Sequence, residues 1–280
     1  MDAQEPLDLR SPGAGETALA LDARKAKAPL TSGFNFILLL IVVIALAISF
    51  GPAEMGKASL LVTDAGNMGT YLSGFLSPDF GQWQLYLREI VITVQIALWG
   101  TFLAVAAAVP FGLLAARNVA PTWVVQPVRR LMDLFRSINE LVIATIFIVA
   151  VGLGPFAGVM ALAVHTTGVL AKLFSEAVEA IEPGPVEGVR ATGASRLQEV
   201  VWGVIPQVLP LWTSFALYRF ESNARSSTVL GIIGAGGIGA LLMQNIRSFN
   251  YERTAAIVIL MVVAVVIIDN LSQAIRKRLI

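Results

Sequence analysis

Apolar runs long enough to cross a bilayer constrain this chain more than any other feature. FNFILLLIVVIALAISF at 34–50 is one, and others fall at about 88–116, 138–153, 155–178, 204–223 and 253–275. A spanning helix needs about 20 such residues, and within hydrocarbon every backbone N–H and C=O must be paired inside the segment. The pattern predicts an all-α integral membrane protein with about six transmembrane helices. Bulk composition agrees, with 56% hydrophobic residues against 14% charged and a mean hydropathy of +0.75.

The same composition removes several chemistries. With no cysteine and His165 as the single histidine, disulfides, cysteine zinc sites, thiol catalysis and a histidine metal cluster are excluded. No metal, no cofactor and no nucleic-acid partner is expected, and membrane lipid is the expected surround. No G-x-x-x-x-G-K-[ST] loop occurs, so the chain has no recognisable cradle for ATP phosphates. GAGGIG at 234–239 matches G-x-G-x-x-G, but a dinucleotide reading needs a strand before it and an acidic residue about 20 positions on, where Ile259 stands. Close helix packing or a bend is the better reading.

The chain divides into a polar tail at 1–33, expected to be disordered and cytoplasmic, a first transmembrane helix with an external segment at 34–84, and a helical transmembrane domain at 85–280. Arg24, Lys25 and Lys27 precede the first run, which reads as an uncleaved anchor. Arg117, Arg129, Arg130 and Arg136 follow the second run, and Arg276, Lys277 and Arg278 follow the sixth, whereas 52–87 carries only Lys57. Basic residues beside span ends favour the cytoplasm, which places both termini and the block 179–203 inside. Arg219, Arg225, Arg247 and Arg253 fit this scheme less well unless they lie within protein.

That inner block, EGVRATGASRLQEVVWGVIPQVLP at 187–210, interrupts the apolar runs with charge, glycine and proline. Val186, Val189, Leu197, Val200, Val201 and Val204 recur at roughly helical spacing, which predicts short amphipathic helices at the membrane surface. Pro183 and Pro185 suit a helix start, and Gly193 permits a sharp bend. Glu187, Gly193 six positions on, and Ile205-Pro206 resemble the EAA motif of ABC importer membrane subunits, with Gly188 and Val189 standing where alanines are common.

FRSINELVIATIFIVAVGLGPFAG, the block just quoted, and YRFESNARSSTVLGIIGAGGIGALL resemble the phosphonate importer permease family across roughly residues 85–278. The resemblance implies a type I ABC importer permease fold whose cytoplasmic coupling helix, carrying Glu187, Gly193, Ala194, Ile205 and Pro206, docks on a separate ATPase. It implies a permease, not an enzyme, serving a phosphonate, phosphite or phosphate in a bacterial inner membrane. The implied partners are a dimer of ATPase subunits, an extracytoplasmic substrate-binding protein and a second copy of this chain. An ion-coupled secondary transporter, which would need repeated halves or paired broken helices, and an ABC permease for another small solute such as an amino acid are the alternatives.

Charge inside a span is costly, so Asn139, Glu140, Arg219, Glu221, Arg225, Ser226 and Ser227 are candidates for the translocation path. Two readings stand for Glu221 and Arg225. They are four apart and can simply neutralise each other, or the arginines and neighbouring hydroxyls can serve an oxyanion. Glu140 near Asn139 and Arg136 reads as a helix-end pair or a gate, and His165 as an interhelical hydrogen bonder.

Overall fold

A computed structural model describes residues 33–279, so all but the last residue of the 1–33 tail lies outside the described residues. Two compact units divide at Met68 and Gly69. The first contains helix α1, Gly33–Ser49, followed by short helical turns at Met55–Ser59 and Leu60–Thr63. Its 17 residues make α1 slightly short for a span.

Among its described residues the second unit consists of helices and the turns that connect them, with no strand. Its elements are α2 (Trp83–Ala115), α3 (Thr122–Ser137), α4 (Glu140–Val151), α5 (Pro155–Glu179), α6 (Pro183–Ala191), α7 (Ile205–Leu230), α8 (Ile238–Arg247) and α9 (Tyr251–Leu279). Four stretches are long and apolar enough to cross a membrane: α2, α5, α9 and the continuous helical run Arg196–Ala235 that contains α7. The expected span at 138–153 takes another form. Only Glu140–Val151 is helical, 12 residues that reach about 18 Å at 1.5 Å per residue. This helix joins α3 through an 87° bend, so a broken pair stands where one straight span is expected.

Small residues explain how the bundle closes. Along α2, Ala97, Thr101, Ala104, Ala108, Gly112 and Ala115 form a buried row at three- and four-residue spacing, with Gly100 buried beside it. A Cβ added at Gly100 would sit 2.7 Å from Leu162 Cβ, and one at Gly112 would sit 2.7 Å from Phe174 Cβ. Both contacts share one register, so α2 and α5 run parallel with their backbones in close approach. Lipid tails are as apolar as leucine, so helices in a membrane associate by such close packing instead of hydrophobic burial.

Helix α7 runs antiparallel to both. Its Trp212 stacks on Phe174 at 4.6 Å between ring centroids and donates from Nε1 to the Phe174 carbonyl at 3.3 Å. Deeper along it, Ser227 Oγ reaches the Thr93 carbonyl at 3.2 Å. The 234–239 glycines form the turn that breaks α7 from α8. Gly236 and Gly237 adopt φ of 77° and 72°, a region that favours glycine. This turn is fastened by Ile238 N–H donating to Thr93 Oγ1 at 2.9 Å and Gly154 N–H donating to the Gly234 carbonyl at 3.0 Å. The bend expected from GAGGIG is therefore present, with no strand before it.

At the same end of the bundle, Arg253 Nε meets Asp79 Oδ2 at 3.1 Å. Asp79 also accepts from Gly81 N–H at 2.7 Å. That backbone bond first, and the Arg253 hydrogen bond second, hold the Asp79 carboxyl below its ordinary range. Arg253 is thus half-buried and paired, whereas Arg225 and Arg247 are exposed.

Candidate functional site

Two regions contain the residues singled out above. The first is a helical hairpin that follows directly on α5. Pro183 opens α6 in its first turn. Gly193, at φ 81°, ends it, with its N–H on the Arg190 carbonyl at 3.0 Å, a left-handed C-terminal cap. Ser195 and Gln198 form a capping box that starts the next turn at once, and a π-helical stretch, Glu199–Val204, leads into Ile205 and Pro206 at the head of α7.

Three contacts fasten the two arms. Arg190 grips Glu199 through Nε at 3.0 Å and Nη2 at 2.9 Å. Gln207 accepts from Glu182 N–H at 3.2 Å and donates to the Gly203 carbonyl at 2.7 Å. A Cβ on Gly203 would lie 3.0 Å from Val186 Cα. Val186, Val189 and Val200 are half-buried and Val204 is buried, as the helical spacing predicts. Leu197 and Val201 depart from the pattern, at 73% and 40% exposure, and Trp202 is 70% exposed. Glu187 is exposed on the same element, while Ala194 is half-buried in the turn. The hairpin thus presents apolar groups and a carboxylate outward on a fastened frame.

The second region lies in the middle of the bundle. His165 Nδ1 is 3.1 Å from the Ile138 carbonyl, joining α5 to the break between α3 and α4. That contact falls ten residues into α5, about 15 Å along its axis. Asn139 is the N-cap of α4, its side-chain oxygen accepting from Leu141 N–H at 2.9 Å, and Glu140 is the first helical residue. On α7, Arg219 is half-buried, with its Nε buried and without a hydrogen-bond partner among the described residues.

One turn along α7, Asn223 is fully buried. It donates to Thr101 Oγ1 on α2 at 2.9 Å and accepts from Thr166 Oγ1 on α5 at 3.0 Å, so one side chain ties three helices. Residue-by-residue reading of charge missed this triad, because each member is a common, uncharged residue. The signal available was an asparagine four positions from each of Arg219 and Ser227 on one helix face.

Glu221 and Arg225 belong to another face of α7. Arg225 contacts Glu221 Oε1 at 3.2 Å and Asp269 Oδ1 at 3.1 Å on α9, and Arg276 contacts Glu221 Oε2 at 2.9 Å. Two carboxylates and two guanidinium groups close a neutral network, which extends the simple pair. Ser227 is buried, its proton shared between the Thr93 and Ala224 carbonyls, and Ser226 is half-buried. Among the described residues no group of three or more His, Cys, Asp or Glu is arranged to hold a metal ion.

Membrane-crossing helices, a broken pair with charge at mid-depth, and a fastened hairpin at one end define a membrane transport subunit. The chain belongs to the family of binding-protein-dependent transport system inner membrane components, whose model matches residues 108–280. It is 38% identical over 221 residues to the phosphite transport system permease protein PtxC of Stutzerimonas stutzeri, covering 79% of this chain and 80% of that one. It is 60% identical over 121 residues to the putative cryptic phosphonate transport system permease protein PhnE2 of Escherichia coli K12, covering 43% of this chain and 99% of that one. The fold matches the MetNI methionine ABC transporter in an inward-facing form, at TM-score 0.64 and 22% identity, over 72% of this chain and 99% of that one. The chain is a multi-pass ABC importer permease of type I fold, and its family implies a separate ATPase and a substrate-binding protein as partners. Family membership displaces the ion-coupled alternative.

Proposed function

We propose that this chain is the membrane-spanning subunit of an ATP-driven importer for a phosphonate or a related phosphorus oxyanion such as phosphite or phosphate. The observation that carries this is the similarity to a phosphite permease over about four-fifths of both chains. Phosphonate and phosphite both present a tetrahedral oxyanion, and an arginine fork suits its oxygens.

Two copies of the chain pair with two ATPase subunits, and a binding protein delivers cargo from outside. Residues 34–84 supply an anchor and external segment, 85–280 the importer domain, and both termini face the cytoplasm of a bacterial inner membrane. The hairpin carrying Glu187, Gly193, Ala194, Ile205 and Pro206 docks on the ATPase. Its Arg190–Glu199 grip supports this role, because a lever must move as one body to turn ATPase closure into rotation of α5 and α7. Cargo passes residues drawn from Asn139, Glu140, Arg219, Glu221, Arg225, Ser226 and Ser227 in alternating access.

The test is reconstitution of the complex with its ATPase and binding protein in liposomes. ATP-dependent accumulation of phosphite or methylphosphonate, with methionine excluded, is the expected result. Uptake of methionine alone would move the chain to the amino-acid importers. The cysteine-free background allows a topology check, in which a thiol at Ser195 labels from the cytoplasm and one at exposed Ser248 from outside. Labelling of both from one face would overturn the orientation.

A further inference from the structure

The hairpin continues into the bundle through α5 and α7, and the structure gives it a third attachment. Three residues separate Glu179, the last of α5, from Pro183 at the head of α6. At Glu179 the chain is tied to the corner between α2 and α3. Its Oε1 accepts from Arg117 N–H at 2.8 Å and from Arg129 Nη2 at 2.7 Å. Arg129 stands within α3 and also donates from Nε to the carbonyl of Ala115, the last residue of α2, at 2.9 Å. Beside Glu179, the Val178 carbonyl accepts from Asn118 Nδ2 at 2.6 Å.

This joint differs from an ordinary surface ion pair. A carboxylate oxygen shared by a guanidinium and a backbone N–H makes charge-assisted bonds of fixed geometry. The Arg129 and Glu179 side chains are only 29% and 28% exposed, so water and salt screen them less than a solvated pair. The Ala115 carbonyl is one of those that a helix end leaves without an intrahelical partner. From its seat on α3, the Arg129 guanidinium holds the ends of α2 and α5 at once, so one side chain joins three helices.

Apolar packing carries the joint into the hairpin. Ala116 of the corner, Val178 of α5 and Val204 of the hairpin belong to one buried cluster, against which Val119 of the corner and Val186 of α6 both pack. Asn118 and Val119 also line a cleft with Val186, Arg190 and Glu199, residues from both arms. The corner leads directly into α3, and α3 ends at the 87° break. A displacement of the hairpin therefore has a short, bonded route to the break that runs neither along α5 nor through α7.

We infer that Glu179 is a positioning residue for transport: through Arg129 and the Arg117 N–H it makes the hairpin, the α2–α3 corner and α3 one moving body, so that the ATPase stroke reaches the α3–α4 break. This rests on the importer reading above, with the hairpin docked on the ATPase. A joint that transmits motion has a consequence that a merely structural one lacks. When it is cut, the hairpin frame held by Arg190–Glu199 and Gln207 still follows the ATPase, but the break no longer follows the hairpin. ATP hydrolysis then continues while transport fails.

The experiment uses the full complex with its binding protein in liposomes, with phosphite as probe, and reads uptake and binding-protein-stimulated ATP hydrolysis on the same sample. Glu179→Gln keeps an acceptor for the Arg117 N–H but removes the charge that holds Arg129. It should lower phosphite taken up per ATP hydrolysed by at least about fivefold, with hydrolysis within about twofold of the parent. Arg129→Gln should do the same, and the double variant should be no worse than either single one, because both changes break one contact. Arg129→Lys keeps the charge but lacks the fork that holds Glu179 and the Ala115 carbonyl together, so it should fall between. Uptake per ATP within about twofold of the parent in Glu179→Gln overturns the inference. So does a parallel loss of uptake and hydrolysis, which marks a joint that only supports the fold, and so do losses that add in the double variant. If Glu179→Gln does not assemble, Arg129→Lys decides by the same ratio. A parent complex that takes up neither phosphite nor methylphosphonate refutes the importer reading itself, a result distinct from failure of these variants.

Discussion

Gly168 on α5 offers a direct test of the close packing that sets the break. A Cβ there would lie 2.7 Å from the Arg136 backbone nitrogen, 2.8 Å from the Met132 carbonyl oxygen and 2.9 Å from Phe135 Cβ. Two of those atoms are main chain in α3 and cannot swing aside, so Gly168→Ala forces the helices apart. Overpacking of this kind costs about 1–3 kcal/mol, and relief of a mid-helix glycine returns about 0.5–1 kcal/mol. Gly188→Ala is the matched control, because it lies inside α6 with nothing within 4 Å of the added carbon. The difference between the two variants isolates the packing cost. At about 2–4 °C per kcal/mol for a protein of this size, Gly168→Ala should melt about 2–12 °C below Gly188→Ala. Thermal unfolding of the detergent-purified protein at matched concentration measures it. A Gly168→Ala variant that melts level with or above the control refutes the reasoning.

Asn223→Leu keeps volume but removes both bonds that join α2, α5 and α7, so the melting temperature should fall by the equivalent of about 1–3 kcal/mol; unchanged melting would remove the triad from the account. Glu187→Lys reverses an exposed charge on the hairpin, and Gly193→Val places a β-branched residue at φ 81°, costing about 1–2 kcal/mol in the cap. Both should insert normally yet lose uptake and binding-protein-stimulated ATP hydrolysis, and normal uptake by either would take that residue out of the coupling element. Because the Asp79 carboxyl is held below its ordinary range, its contribution is fully present above the unfolded value near 4 and is lost as pH falls through the lower folded value. Acid unfolding of Asp79→Asn should therefore lack the part of the pH dependence seen in the parent between those values; superimposable acid profiles would contradict this.

Much of this architecture is local and therefore legible in one dimension. Apolar runs mark α1, α2, α5, α7 and α9 because a helix in hydrocarbon must satisfy its own backbone, which needs no knowledge of neighbours. The hairpin was equally plain, since Pro183 and Gly193 act within a turn or two of themselves, while the Ser195–Gln198 box emerged only in the structure. Its outward Leu197 and Trp202 were not, because helical spacing reports which residues share a face without saying which face is covered. The apolar run at 138–153 looked like a whole span, yet α4 covers only part of it, and the 87° break depends on α3 packing against Gly168 of a helix more than 30 positions on. Pairing over long separation also decided the charges. Asp269 and Arg276 reach Glu221 and Arg225 from α9, while Thr101 and Thr166 meet at Asn223 from two other helices. Periodicity carries the energy of each helix with its solvent, but which polar side chains meet in a buried space is decided only by the assembled bundle.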